Sequence, residues 1–317
     1  MLSNAGRSRK MLRALRGRNA HRVALLSVAV FVLISTHARA AELEPRAYSN
    51  APVGLNFVIA GYVKSEGGLS TDPASPIQDA HLNINTEVLA YARSMDVWGK
   101  SGKFDVIMPY SQLSGTALVN GQPAARQVSG LNDPRFRFSV NFFGAPALSM
   151  QEFANYQQDL IVGASVQVSA PVGQYDSSRL VNIGSNRWFI KTDIGISKAI
   201  GAFTLELSAG AFFYSKNDEY YGGKSLEQDP LYTTQAHVTY SIGKGVWVAL
   251  DGTYDYGGRT TVNGVQQDDV MENSRFGVTL AMPVNRDYSI KLYASSGVSI
   301  RTGSDYNLAG VALQYRW

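Results

Sequence analysis

The sequence predicts an all-β protein, a transmembrane up-and-down antiparallel β-barrel of about twelve strands, with ten or fourteen strands as alternatives. Three observations predict this class. Apolar and polar residues alternate along many segments, as in strands with one apolar and one hydrated face. The connections alternate between short and long, and the ending Val311, Leu313, Tyr315 and Trp317 keeps apolar side chains on one face up to the last residue. A closed barrel pairs every backbone group while showing lipid an apolar surface.

The first 40 residues have the composition of a signal peptide. They contain eight basic residues and no acidic residue, and the apolar run 23–35 is followed by Ala38-Arg39-Ala40. This run of 13 residues is shorter than the roughly 20 that a transmembrane helix needs, and the small residues at 38 and 40 suit signal peptidase. We expect cleavage before Ala41, secretion through the inner membrane, and a mature barrel domain over 41–317 in the bacterial outer membrane.

The leader also accounts for the basic charge of the whole chain. Without its eight basic residues, 29 − 8 = 21 Lys and Arg remain against 25 Asp and Glu, a net charge of 21 − 25 = −4. An acidic mature chain without a basic block gives no electrostatic basis for binding nucleic acid. The chain has no cysteine, which excludes a lipidated cysteine, disulfide bonds and thiolate metal ligands.

Twelve segments alternate with a period of two. Along 135–142 the even positions are Phe, Phe, Val and Phe, while Arg135 and Arg137 occupy the opposite face. Because arginine needs water and large apolar groups need an apolar surrounding, such a strand separates lipid from a hydrated interior. The predicted strands are 53–64, 82–97, 103–110, 135–142, 159–170, 187–198, 202–214, 231–242, 246–256, 274–283, 287–300 and 306–317.

The predicted connections alternate in length, as the short periplasmic turns and long external loops of outer-membrane barrels do. The short connections are 99–102, 199–201, 243–245 and 284–286. The long connections are 65–81, 111–134, 171–186, 215–230 and 257–273. Residues 143–158 break the alternation, because they form a long segment where a periplasmic turn is expected. Ser149 followed by Glu152 predicts a short capped helix there, which either braces the barrel base or contacts the pore.

Nine aromatic residues lie near the ends of the predicted strands, where outer-membrane barrels carry interfacial girdles. They are Tyr62, Trp98, Trp188, Tyr240, Tyr254, Tyr256, Tyr288, Tyr306 and Trp317. A secreted β-sandwich also alternates and has glycine-rich turns. It gives no reason for alternating connection lengths or for aromatic girdles, so the sequence favours the membrane barrel.

The period of two assigns a mixed set of charged side chains to the interior, which twelve strands make narrow. The set is Glu87, Arg93, Arg135, Arg137, Lys191, Asp193, Glu206, His237, Asp251, Arg275, Lys291 and Arg316. Because strong ion selectivity needs rings of one sign, weak selectivity is expected. These groups either line a path or pair with one another and brace the wall.

Inward aromatic residues are the second feature of the interior. They are Phe189, Phe212, Tyr214, Trp247 and Tyr293. Aromatic surface in a polar barrel either holds planar apolar solutes by stacking and burial or simply fills space. The resulting candidate solute path comprises Arg135, Arg137, Phe189, Lys191, Asp193, Glu206, Phe212, Tyr214, His237, Trp247, Asp251 and Tyr293.

Catalytic and metal sites are not expected. The mature chain keeps only His81 and His237, on separate strands and without another histidine or a glutamate at metal-ligand spacing. His237 shares its inward face with Ser241, and Asp251 faces inward from the next strand, so a Ser/His/Asp group is conceivable. Outer-membrane lipases place such groups on the outward surface, whereas His237 points into the lumen. We therefore expect no enzyme activity and no cofactor.

Three stretches, 130–136, 141–148 and 171–188, resemble signatures of one family, the outer-membrane transporters of the phenol-degradation meta-pathway (the MetA-pathway of phenol degradation family). The most specific stretch contains Pro171, Gly173, Tyr175, Asn182, Gly184, Ser185, Asn186, Arg187 and Trp188. The likeness runs from about Val53 to Trp317. It implies an outer-membrane location and passage of aromatic or other hydrophobic compounds, without a particular substrate or catalytic site.

Residues 171–186 of this stretch are predicted to form a long external loop, and Arg187 begins the next strand. Gly173 and Gly184 permit tight turns there, and Asn182 and Asn186 can hydrogen-bond nearby backbone. The loop either folds inward and narrows the mouth or ties the barrel rim together.

Taken with the resemblance, these patterns predict a channel for passive uptake of small hydrophobic or aromatic compounds. The expected partners are outer-membrane lipid, the barrel-assembly machinery, for which Val311, Leu313, Tyr315 and Trp317 form the recognition signal, and the solute. A monomer is favoured, although the sequence does not fix the oligomer. The alternatives are a barrel enzyme acting on lipid and a non-conducting structural barrel.

Overall fold

The computed structural model of the protein describes residues 44–70, 77–119, 121–299 and 303–317. The expected leader 1–40 and its cleavage site before Ala41 lie outside these ranges. Over the described residues, no helix combines the length and the apolar character that crossing a membrane requires.

The fold consists of antiparallel strands and one helical turn. In chain order the elements are β1 (Asn56–Ser70), β2 (Ile77–Val97), β3 (Lys100–Val119), β4 (Gln122–Leu131), β5 (Arg135–Phe143), α1 (Met150–Phe153), β6 (Leu160–Ser169), β7 (Phe189–Ile200), β8 (Phe203–Tyr214), β9 (Asn217–Tyr220), β10 (Lys224–Gln228), β11 (Leu231–Gly243), β12 (Val246–Gly257), β13 (Thr260–Val262), β14 (Val265–Gln266), β15 (Met271–Pro283), β16 (Tyr288–Ser299) and β17 (Gly303–Arg316).

Twelve of these strands form the closed barrel that the sequence predicts. The ring runs β2-β1-β17-β16-β15-β12-β11-β8-β7-β6-β5-β3 and closes because β2 also pairs with β3. The first and last strands meet along 14 residue pairs, from Phe57↔Arg316 to Ser70↔Gly303. We call the end with the tight turns between β2 and β3, β7 and β8, β11 and β12, and β15 and β16 the short-turn end, and the opposite end the long-loop end.

The other five strands lie in connections that the sequence predicts as loops. β4 pairs with β3 from Tyr110↔Leu131 to Val119↔Gln122 and extends a hairpin beyond the ring. β9, β10, β13 and β14 form a separate four-stranded sheet at the long-loop end. These strands carry no alternating apolar face, so period-two patterning could not reveal them. Backbone pairing with a neighbour defines them instead.

Side-chain exposure follows the predicted faces in most ring strands. In β5, Phe136, Phe138 and Phe142 are exposed on the outside, whereas Ser139 and Asn141 are buried. The same alternation runs along β6, β7, β8, β11 and β12. The outer wall is therefore apolar, as lipid requires, and the inner wall is polar.

Two inward assignments in β2 are wrong. Glu87 and Arg93 are exposed on the outer face, and the inward positions belong to the buried Ala90, Ala92 and Ser94. Glu87 pairs with Tyr62 and Tyr110, which are also exposed outside. Ser94 hydrogen-bonds the chain segment that precedes β1, donating to Pro52 O and accepting from Leu55 N.

One girdle assignment is also wrong. Tyr306 is buried rather than exposed, and the guanidinium of Arg275 lies 4.3 Å from its ring centroid. The other eight aromatic residues of the predicted girdles are exposed, with Trp98 the most at 97%. An inward tyrosine can look like a girdle residue in sequence because both lie near a strand end.

The long segment at the short-turn end contains the predicted capped helix. Ser149 Oγ accepts a hydrogen bond from Glu152 N, and the Glu152 carboxylate accepts one from Ser149 N at 2.8 Å. The Ser149 hydroxyl also donates to the Glu152 carboxylate at 2.7 Å, and this bond together with the one from Ser149 N holds the pKa of the exposed Glu152 below its usual value. Ala145 is 1% exposed and packs against the chain segment inside the barrel. Residues 143–158 therefore brace the barrel base and also contact the chain segment that lies inside the pore.

Candidate solute path in the barrel lumen

Residues 44–55, which precede β1, lie inside the short-turn half of the barrel, and we call them the lumen segment. Glu44 forms a two-pronged ion pair with Arg137 of β5, with one Nη2–Oε1 distance of 2.8 Å. The backbone N–H of Arg46 donates to the Glu206 carboxylate of β8. Burial opposes ionisation of Glu44, but Arg137 outweighs it and holds the pKa of that carboxyl well below its usual range. The lumen segment is therefore anchored by charge to the wall.

Tyr48 of the lumen segment is buried against the wall. Its ring lies on Gly163 of β6 and Gly195 of β7, and a Cβ atom on Gly195 would lie within 3.0 Å of three ring atoms. Its hydroxyl donates to Asp193 Oδ1 at 2.9 Å, and its carbonyl accepts from Asn141 Nδ2 at 3.0 Å. Burial and the negative charge of Asp193 raise the pKa of Tyr48, so the hydroxyl remains a donor.

A cavity of about 430 Å³ lies in the lumen between the lumen segment and the long-loop end. Its apolar lining includes Ile183, Phe189, Phe212, Tyr214, Leu231 and Met271. Its polar lining includes Arg135, Arg137, Lys191, Asp193, Glu206 and His237. The volume lies within the range of small-molecule sites, about 300–1,000 Å³. The cavity therefore offers both an aromatic surface and hydrogen-bonding groups.

The aromatic part of the cavity is a cluster of three rings. Phe189 of β7 lies 5.7 Å from Phe212 and 6.3 Å from Tyr214 of β8, edge to face. The register explains the cluster, because Phe189 pairs directly with Tyr214 and both face inward. Lys191 Nζ lies 5.3 Å from the Phe212 ring and Arg187 lies 4.4 Å from the Tyr214 ring. The cluster therefore combines aromatic rings and cations at one wall of the lumen.

Several charged residues of the wall form ion pairs. Arg137 also bonds Asp105 at 2.8 Å, and Lys191 Nζ lies 2.9 Å from Asp193. These pairs balance part of the inner charge, as the bracing alternative requires. Weak ion selectivity remains a prediction.

Three predicted path residues, Trp247, Asp251 and Tyr293, lie outside the cavity lining, and Asp251 is bonded to His237 and Thr279 in the wall. Trp247 lies under the guanidinium of Arg46, 5.6 Å from the ring centroid. The Tyr293 ring covers Gly310, where an added Cβ would lie within 3 Å of it. All three are inward as predicted, but they contact the lumen segment or the wall. Patterning gives the face of a residue but not its height in the barrel.

His237 and Asp251 form a buried pair in the wall, with Nδ1 2.8 Å from Oδ1. Thr279 donates to the other carboxylate oxygen at 2.9 Å. No serine hydrogen-bonds His237 in the described part of the chain. In the same ranges, no three His, Asp or Glu residues converge as a metal site would require. The pair is thus a wall element without the third member of a catalytic group.

The family-like loop 171–186 is tied to the junction of β4 and β5 through Asp133. One Asp133 oxygen accepts from Gly173 N at 2.9 Å, and the other accepts from Ser185 N at 2.7 Å and Ser185 Oγ at 2.6 Å. A Cβ atom on Gly173 would lie 2.8 Å from Asp133 N, and one on Gly184 would lie 2.9 Å from the carbonyl carbon of Gly173. The close approach therefore requires both glycines.

Asparagines hold the rest of the loop. Asn182 receives the N–H of Asp176 at 3.0 Å and donates to the carbonyls of Asp176 and Arg179. Asn186 donates to Asn217 of β9, which in turn donates to the hydroxyl of Tyr175 at 3.0 Å. The loop is tied to the rim and also contributes Ile183 to the cavity lining, so it has features of both alternatives.

The ends of that stretch join the strands. Ala170 N, just before Pro171, donates to Pro134 O at 3.1 Å. Arg187 donates to Gln228, and the exposed Trp188 donates its N–H to Ser215 Oγ at 3.0 Å. The stretch therefore links β5, β7 and the small sheet.

The carboxyl-terminal strand closes the barrel. Trp317 exchanges backbone hydrogen bonds of 3.0 and 3.2 Å with Asn56. Val311, Leu313, Tyr315 and Trp317 are exposed outside, and the Tyr315 and Trp317 rings stack at 5.4 Å. Their role as an assembly signal remains a prediction.

Sequence reasoning missed Glu44, Tyr48, Asp133 and Asn217. The first two lie in a stretch without periodicity, and their partners are 93 and 145 residues away. Asp133 lies within a family-like stretch, which is the one signal that could have identified it.

A family model described as "Putative MetA-pathway of phenol degradation" matches residues 64–317. The COG4313 outer membrane channel from Pseudomonas putida F1 is similar in structure, with a TM-score of 0.73 at 20% identity over 87% of this chain and 100% of that one. The transport unit of the autotransporter AIDA-I from Escherichia coli has a TM-score of 0.50 at 8% identity, covering 84% and 92%. No curated protein matches the sequence. At these identities the structural likeness concerns the fold.

Proposed function

The chain belongs to this phenol-degradation family, and on that premise we propose that it is an outer-membrane channel for passive uptake of small hydrophobic or aromatic compounds. Its expected leader would direct it through the inner membrane, and the apolar outer wall fits it to lipid. The channel has no energy source of its own. Diffusion down a gradient that metabolism maintains drives the flux.

The aromatic cluster inside a polar lumen is the observation that supports this proposal. Phe189, Phe212 and Tyr214 face inward, where a purely aqueous pore has no use for them. Dry apolar cavities of about 150 Å³ bind benzene. A cavity of about 430 Å³ therefore has room for a one-ring solute together with water.

Passage requires the cavity to open at both ends. Ile183 of the family-like loop lines the cavity on the side of the long-loop end, and Glu44, Ala47 and Tyr48 line it on the side of the short-turn end. The described arrangement corresponds to a resting state in which solute enters past the loop and leaves when the lumen segment moves.

Uptake into liposomes tests the function directly. The purified mature protein should speed the entry of small aromatic solutes and give small currents in planar bilayers. Phe212→Ala should slow aromatic entry several-fold because it removes an inward ring. Phe213→Ala is the matched control, since Phe213 is the next residue, also a phenylalanine, and is exposed on the outside. Equal uptake with and without protein would refute the proposal.

The two alternative functions, a barrel enzyme acting on lipid and a non-conducting structural barrel, require different structural features. A lipid-acting barrel enzyme needs serine, histidine and an acid at the membrane-facing rim. The His237–Asp251 pair instead lies in the lumen wall and bonds Thr279. A structural barrel would need no central cavity, and it would pass neither current nor solute in the same experiment. We propose a non-enzymatic monomer.

A further inference from the structure

The place where the Tyr48 side chain rests has the features of a ligand site. We call it the Tyr48 seat and define it by Ala145, Ile161, Gly163, Asp193 and Gly195. Gly163 and Gly195 are direct partners across β6 and β7, so two adjacent inward positions lack a side chain. This leaves a flat bare patch on the wall, and the Tyr48 ring lies against it.

The seat has an apolar end and a polar end. Ile161 and Ala145 form its buried floor, exposed by 0% and 1%. Asp193 accepts the hydroxyl hydrogen bond at the opposite end of the ring at 2.9 Å. A carboxylate is a strong acceptor for such a hydroxyl in a buried place.

The occupant of the seat is itself a phenol. The side chain of Tyr48 is 4-methylphenol attached to the backbone, and the seat contacts its ring and hydroxyl. We propose that the Tyr48 seat is a binding site for small phenols, which the chain's own tyrosine fills while the lumen segment is docked. This inference rests on the proposed function, because the solute must first reach the cavity.

The surroundings connect the seat to the cavity. Tyr48 and Asp193 both line the cavity, so a solute there meets the seat when Tyr48 leaves. Lys191 bonds Asp193 and lies over the Phe212 ring, which places the seat next to the aromatic cluster. The ligand is a neutral phenol, because burial and Asp193 raise the pKa of a hydroxyl in this position. A phenolate would face the Asp193 charge.

A phenol that competes with the Tyr48 side chain for the seat also favours undocking of the lumen segment. The Tyr48 side chain is one of several anchors of the lumen segment, which include the Glu44–Arg137 ion pair, the bond from Arg46 to Glu206 and the bonds of Ser94 to Pro52 and Leu55. A phenol that replaces Tyr48 removes one anchor, and the lumen segment then leaves its docked position more often. A ligand shifts this equilibrium only through its preference for the undocked state.

Tyr48→Gly empties the seat and gives the first test, in detergent and without transport. Saturating 4-methylphenol should raise the thermal unfolding temperature of this variant by about 5 °C, and toluene, which lacks the hydroxyl, by much less. Tyr232→Gly is the matched control, because the Tyr232 side chain is 56% exposed on the outer face of β11. Equal effects of toluene and 4-methylphenol, or none in Tyr48→Gly, would overturn the proposal.

A second test keeps Tyr48 in place and covers the case in which the glycine variant does not fold. The native chain has no cysteine, so Ala47→Cys introduces a single thiol into the lumen segment. Its reaction with a water-soluble thiol reagent should accelerate about tenfold with 4-methylphenol and stay constant with toluene, and no acceleration would overturn the proposal. Because both tests measure binding, a barrel that binds phenol but fails liposome uptake would refute the channel and leave the seat intact.

Discussion

Asp133→Ala should release the family-like loop from the rim. The substitution removes the acceptor of the Gly173 and Ser185 amide hydrogens, at 2.9 and 2.7 Å. The Ser185 hydroxyl keeps a second acceptor, Arg187 O at 3.0 Å, so two donors are left unpaired. At about 1–3 kcal/mol for each buried unpaired donor, with part recovered by water, the docked loop should lose about 2–4 kcal/mol. This corresponds to roughly a 30- to 1,000-fold rise in the open population.

Hydrogen exchange measures this change. The amides of Gly173 and Ser185 should exchange roughly 30- to 1,000-fold faster in Asp133→Ala, while the ring strands keep their protection. Asp176→Ala is the matched control, because Asp176 accepts from Ser178 within the loop at 2.9 Å and hydrogen-bonds no rim residue in the described ranges. Unchanged exchange in Asp133→Ala, or equal opening by Asp176→Ala, would refute the reasoning.

Three further predictions concern the short-turn end. Gly195→Val should expel the Tyr48 ring, because a Cβ would already lie within 3.0 Å of it, and channel conductance should rise; an unchanged current would contradict the packing. Ser149→Ala should cost the one-turn helix about 1 kcal/mol and speed exchange of its amides, with no effect on barrel unfolding. Because the pKa of Glu44 is lowered by Arg137, its anchor is complete above about pH 4.3 and weakens only as pH falls further. Conductance should therefore rise as the pH falls below about 4, and no rise down to about pH 3 would contradict a role of this ion pair in docking.

The ring strands could be predicted because one local rule governs them. In β5 and β8 lipid and water act on alternate residues, so Phe136 or Leu205 reveals its face without knowledge of its neighbours. The rule failed in β2, where the buried inward residues Ala90 and Ala92 are small and apolar, so the two faces do not differ in polarity as they do in β5. The strength of the pattern therefore depends on what each face contacts.

The candidate site was only partly predictable for a related reason. Phe189, Phe212 and Lys191 follow the period of two and line the cavity as expected. Glu44 and Tyr48 have no period, and their positions depend on an ion pair and a hydrogen bond to distant strands. Similarly, no local sequence pattern indicates that Asp133 accepts hydrogen bonds from backbone N–H groups 40 and 52 residues away.

Blocking the lumen chemically tests most directly whether solute crosses through it. Ser208 and Ala209 are neighbours on β8, the first lining the cavity and the second exposed outside. Each can be replaced by cysteine in this cysteine-free chain and reacted with a bulky thiol reagent. Uptake of an aromatic solute into liposomes should fall sharply for labelled Ser208→Cys and stay unchanged for labelled Ala209→Cys. Equal uptake in the two labelled proteins would contradict a path through the lumen.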